Sequence, residues 1–124
     1  MPPEEINFID ETDDFSSGQP IEFASILWRQ IDRILKAGSY GADRLYINSV
    51  NELHQILLPH HDKDYRAFID DRRKEFLEIL QEYPPSKRDK IFFQLEKKMA
   101  YQMFGELIRL MTKKGLLPEK GIRT

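Results

Sequence analysis

Cysteine is absent from this chain of 124 residues. That absence excludes a disulfide framework, a thiol nucleophile and every thiolate metal site. No apolar run approaches the roughly 20 residues that a membrane-spanning helix needs. Residues 1–15 are acidic and lack the basic and apolar regions of a secretory signal. We therefore expect a cytoplasmic protein that has no membrane partner.

The sequence also lacks the compact motifs of catalysis and nucleotide binding. It has no G-x-G-x-x-G, P-loop, zinc-finger spacing, nucleophile elbow or helix-turn-helix signature. We therefore expect no cofactor and no catalytic residue, and the chain is not predicted to be an enzyme.

The composition does support one folded domain. Hydrophobic residues make up 40% of the chain, aromatic residues 11% and charged residues 32%, which excludes wholesale disorder. The formal net charge of -2 conceals a strong polarity along the chain. Six acidic and no basic residues occur in 1–18, whereas ten basic and four acidic residues occur in 85–124. We predict an acidic, flexible tail over 1–18 and a single helical domain over 19–124.

The predicted tail has two interpretations. It is either a solvated leader that aids solubility, or an arm that docks on a basic surface of this chain or of a partner. The second interpretation rests on the apolar side chains spaced among its carboxylates, which a segment that folds on binding needs. These apolar residues are Ile6, Phe8, Ile9 and Phe15.

Helical periodicity dominates from Pro20 onward, and no strand pair is evident, so the fold class is all-α. Pro20 and Gly38 bound a first helix over about 20–37. Ser49 and Glu52 form an S-x-x-E capping box that predicts a second helix over about 50–58. Residues 39–48 fit either a helical turn or a short extended segment.

Two longer helices are predicted over about 63–83 and 87–114. Asp62 or Asp64 can cap the first and Ser86 the second, and Gly115 suits a Schellman-like end. The Pro84-Pro85 turn between them predicts a long antiparallel hairpin as the frame of a small helical bundle.

One charged residue lies within the apolar arc of each long helix. Arg72 precedes Pro84 by 12 residues (84 - 72) and Glu96 follows it by 12 (96 - 84), so a hairpin that pivots at Pro84 places them opposite each other. Because a buried charge needs a partner, we predict a buried ion pair between Arg72 and Glu96 that fixes the hairpin register.

His54, His60, His61, Asp62 and Asp64 form the most reactive-looking cluster. Such side chains ligate zinc and other divalent ions, and the order H…HD…D is similar to that of the HD-type phosphohydrolases. Their separations here are too short for ligands on successive helices, and the stretch equally fits a polar loop that caps the next helix. His60, His61 and Asp62 are therefore weak metal candidates, and a metal-dependent hydrolase is a remote alternative.

The polar side of the last helix carries five positive charges and no carboxylate, a pattern that can follow a phosphate backbone. Gly105 also faces outward there, where core packing does not explain it. The same surface also fits a solubilising face. The candidate residues for a nucleic acid or another anionic partner are Lys87, Lys90, Lys97, Lys98, Tyr101 and Arg109.

The apolar side of the last helix is broad and rich in methionine and phenylalanine. A helix of roughly 28 residues is about 42 Å long and outruns a compact domain of this size, so part of it needs cover from another chain. We predict a non-enzymatic helical protein-interaction or assembly module that self-associates. The alternative is a nucleic-acid-binding accessory protein that uses the basic face of the last helix.

Overall fold

The computed structural model describes residues 20–117, which form four α-helices and no strand. These are α1 (Pro20–Ser39), α2 (Asp43–Ile56), α3 (Lys63–Gln81) and α4 (Pro85–Lys113), with a short 3-10 turn at Leu58–His60 between α2 and α3. The prediction of a small all-α bundle is confirmed. The predicted acidic tail lies outside the described residues.

The helices do not lie in space in their chain order. α1 packs on α2, α2 packs on α4, and α4 packs on α3. All four helices contribute to one apolar core, whose fully buried side chains include Leu27, Ile34, Ile47, Leu53, Leu107 and Met111. None of the described helices is both long enough and apolar enough to cross a membrane.

Glycine with positive φ forms the turn between α1 and α2. Gly41 has φ +70°, and the Ala42 backbone N–H donates to the Ala37 carbonyl at 2.9 Å. This is the Schellman geometry, in which a left-handed residue lets the chain return to the last helical carbonyls. The predicted stop at Gly38 is therefore early, because Gly38 lies inside the last turn of α1.

The predicted capping box at Ser49 is wrong. α2 already begins at Asp43, and Ser49 lies inside it with 1% of its surface exposed. The buried Gln30 side chain of α1 donates from Nε2 to the Ser49 carbonyl at 2.9 Å and to Glu52 Oε1 at 3.0 Å. Ser49 and Glu52 therefore join α1 to α2, and the ambiguous segment before them is largely helical.

Local signals place the ends of the α3–α4 hairpin more accurately. Asp62, one of the two predicted candidates, caps α3 by accepting from the Tyr65 backbone N–H at 2.8 Å. At the end of α4, Gly115 has φ +67° and the Leu116 N–H donates to the Met111 carbonyl at 2.9 Å, which is the predicted Schellman end. The predicted cap at Ser86 is wrong, because α4 already begins at Pro85 and no side chain caps it.

The hairpin register also corrects the predicted ion pair. Arg72 does not contact Glu96; its Nη1 lies 2.6 Å from Glu75 Oε1, and Glu96 Oε1 accepts from Arg44 Nη2 of α2 at 3.0 Å. Lys113 Nζ lies 2.8 Å from Asp62 Oδ2.

The Lys113–Asp62 contact explains the error. Asp62 precedes Pro84 by 22 residues (84 - 62), whereas Lys113 follows it by 29 (113 - 84). The centre of the hairpin thus lies about one helical turn inside α4 instead of at Pro84. The exposed first turn of α4 extends past the end of α3. Each residue of α3 therefore faces a residue of α4 that lies about seven positions (29 - 22) further along the chain than a pivot at Pro84 predicts.

Two glycine substitutions are expected to change stability in opposite directions. Gly41→Ala forces a Cβ into the left-handed region and is expected to cost about 1 kcal/mol of unfolding free energy. Gly105 lies within α4, and an added Cβ meets nothing within 4 Å, so Gly105→Ala is expected to gain about 0.5–1 kcal/mol. Urea unfolding measures both changes, and the assignment fails if Gly41→Ala is as stable as the wild type.

Candidate interaction surfaces

Two histidines and a tyrosine form a half-buried cluster where α2, the 3-10 turn and α3 meet. His54 Nδ1 lies 2.8 Å from the Tyr65 hydroxyl, and the His54 and His61 ring centres are 4.5 Å apart. His61 Nε2 donates to the His54 carbonyl at 3.1 Å, because a carbonyl oxygen only accepts. The cluster therefore fixes the chain between α2 and α3.

Burial keeps this cluster uncharged near neutral pH. Burial, and after it the neighbouring His61 and Arg73, lower the pKa of His54 to about 4. Burial likewise lowers the pKa of His61 and raises the pKa of the Tyr65 hydroxyl. Neutral imidazoles held by hydrogen bonds stabilise the native chain path, and the groups are packed against one another instead of facing a cleft.

The three weak metal candidates are not brought together. The His60 ring lies 5.6 Å from the Phe23 ring, His61 binds a carbonyl, and Asp62 binds both the Tyr65 N–H and Lys113. The hydrogen bond from Lys113 lowers the pKa of Asp62 to about 2. Over residues 20–117, no group of three or more His, Asp and Glu side chains is arranged to hold a metal ion.

The basic strip consists of the six predicted anion-binding residues of α4, and the structure divides their charges into two groups. Lys97 Nζ lies 3.1 Å from Asp43 Oδ2, and Arg109 Nη2 lies 2.9 Å from Glu106 Oε2. Lys87, Lys90 and Lys98 are exposed and contact no carboxylate in the described part of the chain. The strip therefore offers fewer available cations than its sequence indicates. Its residues are Lys87, Lys90, Lys97, Lys98, Tyr101 and Arg109.

Aromatic rings lie among these lysines. Tyr101 is half exposed, and its ring centre is 4.7 Å from that of Tyr46 in α2. The Arg44 guanidinium lies over the Phe93 ring, 5.1 Å from its centre. Cations beside exposed aromatic edges can bind an anion that has a flat group.

One uncovered apolar surface is a groove between α3 and α4 that the sequence did not locate. We call it the tip groove, since it lies toward the Pro84 end of the α3–α4 hairpin, and its volume is about 460 Å³. Leu77 and Phe92 are 59% and 50% exposed on its two sides. Its main apolar lining is Phe76, Leu77, Leu80, Phe92, Leu95 and Met99, with Ile47 of α2 also contributing.

The limited extent of α2 explains why the tip groove is open. The first residues of α2, Asp43 and Arg44, contact Lys97 and Glu96 of α4. The eleven residues of α4 before Glu96 (96 - 85) therefore extend about 17 Å beyond the start of α2, at roughly 1.5 Å per residue. Of the described helices, α3 lines the groove beside this extension, and α2 reaches only its inner end with Ile47 and Asn51.

Few polar groups line the tip groove. Asn51 donates from Nδ2 to the Ile47 carbonyl at 3.0 Å, and Glu96 is paired with Arg44. Arg73 also lines the groove and contacts no carboxylate among residues 20–117. The groove thus combines an apolar surface with an available guanidinium.

Comparison of the chain with protein-family models, with curated proteins and with solved structures gives no match.

Proposed function

We propose that this protein is a non-enzymatic helical interaction module that self-associates through the tip groove. The observation that carries the proposal is the exposure of Leu77 and Phe92 around an apolar groove of about 460 Å³. Contiguous apolar surface of this kind marks interaction sites on folded proteins. Moving a fully exposed Leu or Phe side chain into a buried site is worth about 1.5–3 kcal/mol, and covering these two half-exposed side chains is worth about half of that each.

A second copy of the chain is the partner that this geometry favours. The two exposed side chains lie on different helices of one antiparallel hairpin, so two copies related by a two-fold axis can each place these side chains against the other's groove. The product is a bundle of four antiparallel helices, which is a common and stable arrangement.

Multi-angle light scattering over a concentration series tests self-association. Leu77→Glu and Phe92→Glu are expected to weaken dimerisation by about tenfold or more, because about 1.4 kcal/mol of lost apolar contact is a factor of ten in Kd. Leu45→Glu is the matched control, since Leu45 is 51% exposed on α2 and does not line the groove. A wild-type protein that stays monomeric at every concentration would refute the proposal.

Non-specific nucleic-acid binding by the basic strip is the second candidate. It is favoured by Lys90 and Lys98, which lie beside Phe93 and Tyr101 in a shallow groove. It is disfavoured by the ion pairs of Lys97 and Arg109, which leave three cations of the strip without a described carboxylate. Affinity for nucleic acid grows with the number of phosphates neutralised. We therefore rank nucleic-acid binding by the basic strip below self-association through the tip groove.

A further inference from the structure

We infer that the acidic segment of residues 4–15 docks in the tip groove of its own chain, where it competes with a second copy. The inference deepens the proposed function in that it assigns an occupant to the same groove. It rests on the composition of the segment, on the charges around the groove and on the distance that the chain must span.

The segment has the chemistry that the tip groove requires. Its four apolar residues supply anchors for an apolar groove that already exposes Leu77 and Phe92. Six carboxylates lie among these anchors, and the segment has no lysine or arginine. The segment therefore presents both apolar anchors and negative charge to the groove of its own chain. The anchors are Ile6, Phe8, Ile9 and Phe15, and the carboxylates are Glu4, Glu5, Asp10, Glu11, Asp13 and Asp14.

The charges around the tip groove favour an acidic occupant. Arg73 lines the groove, and Lys74 lies three residues before Leu77, which places it on the same side of α3. Arg88 similarly lies one turn before Phe92 on α4.

Three carboxylates oppose these cations. Asp89 lies beside Arg88, Glu96 is already bound to Arg44 at 3.0 Å, and Asp70 lies three residues before Arg73 on α3. Four basic and three acidic side chains therefore lie around the groove, which leaves an excess of one positive charge for the carboxylates of the segment. The basic residues are Arg44, Arg73, Lys74 and Arg88.

The chain before α1 is long enough to reach the groove. The contact between Phe23 and His60 places the start of α1 at the end of the bundle where α3 begins. Phe76 lies 13 residues beyond Lys63 (76 - 63), or about 20 Å along α3. Ile9 precedes Pro20 by 11 residues (20 - 9), and 11 extended residues span up to about 36–40 Å.

Tethering favours docking within one chain over docking between chains. A short linker gives its attached segment an effective concentration in the millimolar range, which exceeds the protein concentration in ordinary solutions. The segment therefore occupies the groove first, and a second copy must displace it.

Disulfide cross-linking in the full chain tests this docking, because the chain has no cysteine of its own. The pair Asn7→Cys and Gln81→Cys places one thiol between the anchors Ile6 and Phe8 and the other at an exposed position one turn from Leu77. We expect a disulfide within one chain. We also expect it to form at least about tenfold faster than in a control pair whose second cysteine lies outside the tip groove.

The control pair is Asn7→Cys and Gln55→Cys. Gln55 is exposed on α2 outside the tip groove, and it lies near the end of the bundle where α1 starts, so undirected collisions favour this control. Adding Phe8→Glu to the test pair should lower its rate to that of the control.

Equal rates for the test and control pairs, or disulfides that join only separate chains, would overturn the inference. Failure of the proposed function has a different signature. If Leu77→Glu abolishes self-association but the test pair does not cross-link, only the docking of the segment is wrong. If the test pair cross-links within one chain but neither the wild type nor the Phe8→Glu variant, whose segment is released from the groove, ever dimerises, only the self-association is wrong.

Discussion

Leu107→Ala is expected to lower the free energy of unfolding by about 2–5 kcal/mol, the usual range for removing a fully buried leucine side chain. Leu107 lies on α4 with 0% of its surface exposed, and α4 is the helix that packs against both α2 and α3. Truncation leaves a cavity where these helices share one core, and the surrounding residues close it only in part. Urea unfolding followed by circular dichroism measures the loss.

Leu45→Ala provides the matched control for that experiment. It removes the same atoms from a leucine that is 51% exposed on α2, so its effect is expected to stay within about 0.5 kcal/mol. Comparable losses for the two variants would mean that α4 does not occupy the centre of the core. A large loss for Leu107→Ala alone supports the described packing.

Acid is expected to destabilise the protein through His54 by about 1–3 kcal/mol between neutral pH and about pH 4. Burial, together with the neighbouring His61 and Arg73, lowers the pKa of His54 in the folded state from 6.5 to about 4. Between these two values the unfolded chain binds a proton that the folded chain does not, so stability falls as pH falls. The upper part of the range is reduced because the imidazole retains partial contact with solvent.

His54→Gln isolates this effect from the carboxylates that also titrate in acid. We expect the variant to lose less stability than the wild type between about pH 7 and about pH 5, the interval in which free histidine titrates. His60→Gln is the matched control, because the His60 ring contacts Phe23 outside the cluster of His54, His61 and Tyr65. Parallel curves of stability against pH for His54→Gln and the wild type would contradict the assignment.

Two helix ends were predictable from chemistry within a few residues, whereas the equally local signals at Gly38 and Ser86 were misleading. Asp62 caps α3 because its carboxylate reaches the Tyr65 N–H three residues on, and Gly115 ends α4 because glycine adopts positive φ without strain. Both arrangements need no partner from elsewhere in the chain. Amphipathic spacing is equally local, and for that reason the all-α class and the extents of the two long helices were largely predictable.

Features that depend on how helices dock were not predictable in the same way. The spacing of Ser49 and Glu52 is that of a capping box, yet these residues bind Gln30 of α1 across the helix interface. The predicted partner of Glu96 was wrong because the hairpin does not pivot at its prolines. Counting residues along the chain assumes a symmetric turn, whereas the docked helices determine which turns face each other.

The sequence predicted that an uncovered apolar surface exists, but it did not locate that surface. The length of the last helix indicated that some of its apolar face lacks cover, and Phe92 and Met99 were within that face. Locating the opening requires the start of α2, which depends on the positive φ of Gly41 and on the contacts of Asp43 and Arg44 with α4. Leu77 and Phe92 form one surface only because the hairpin brings them together.

The spatial order α1, α2, α4, α3 has a consequence for the folding rate. Each half of the bundle is a hairpin of two consecutive helices, so most contacts join residues that are close in sequence, and α2 against α4 is the main pairing between the halves. Chains dominated by local contacts fold within microseconds to milliseconds, because little loop entropy is lost before the stabilising contacts form. We therefore expect this chain to fold on that timescale, with the packing of α2 against α4 as the main contact between residues distant in sequence.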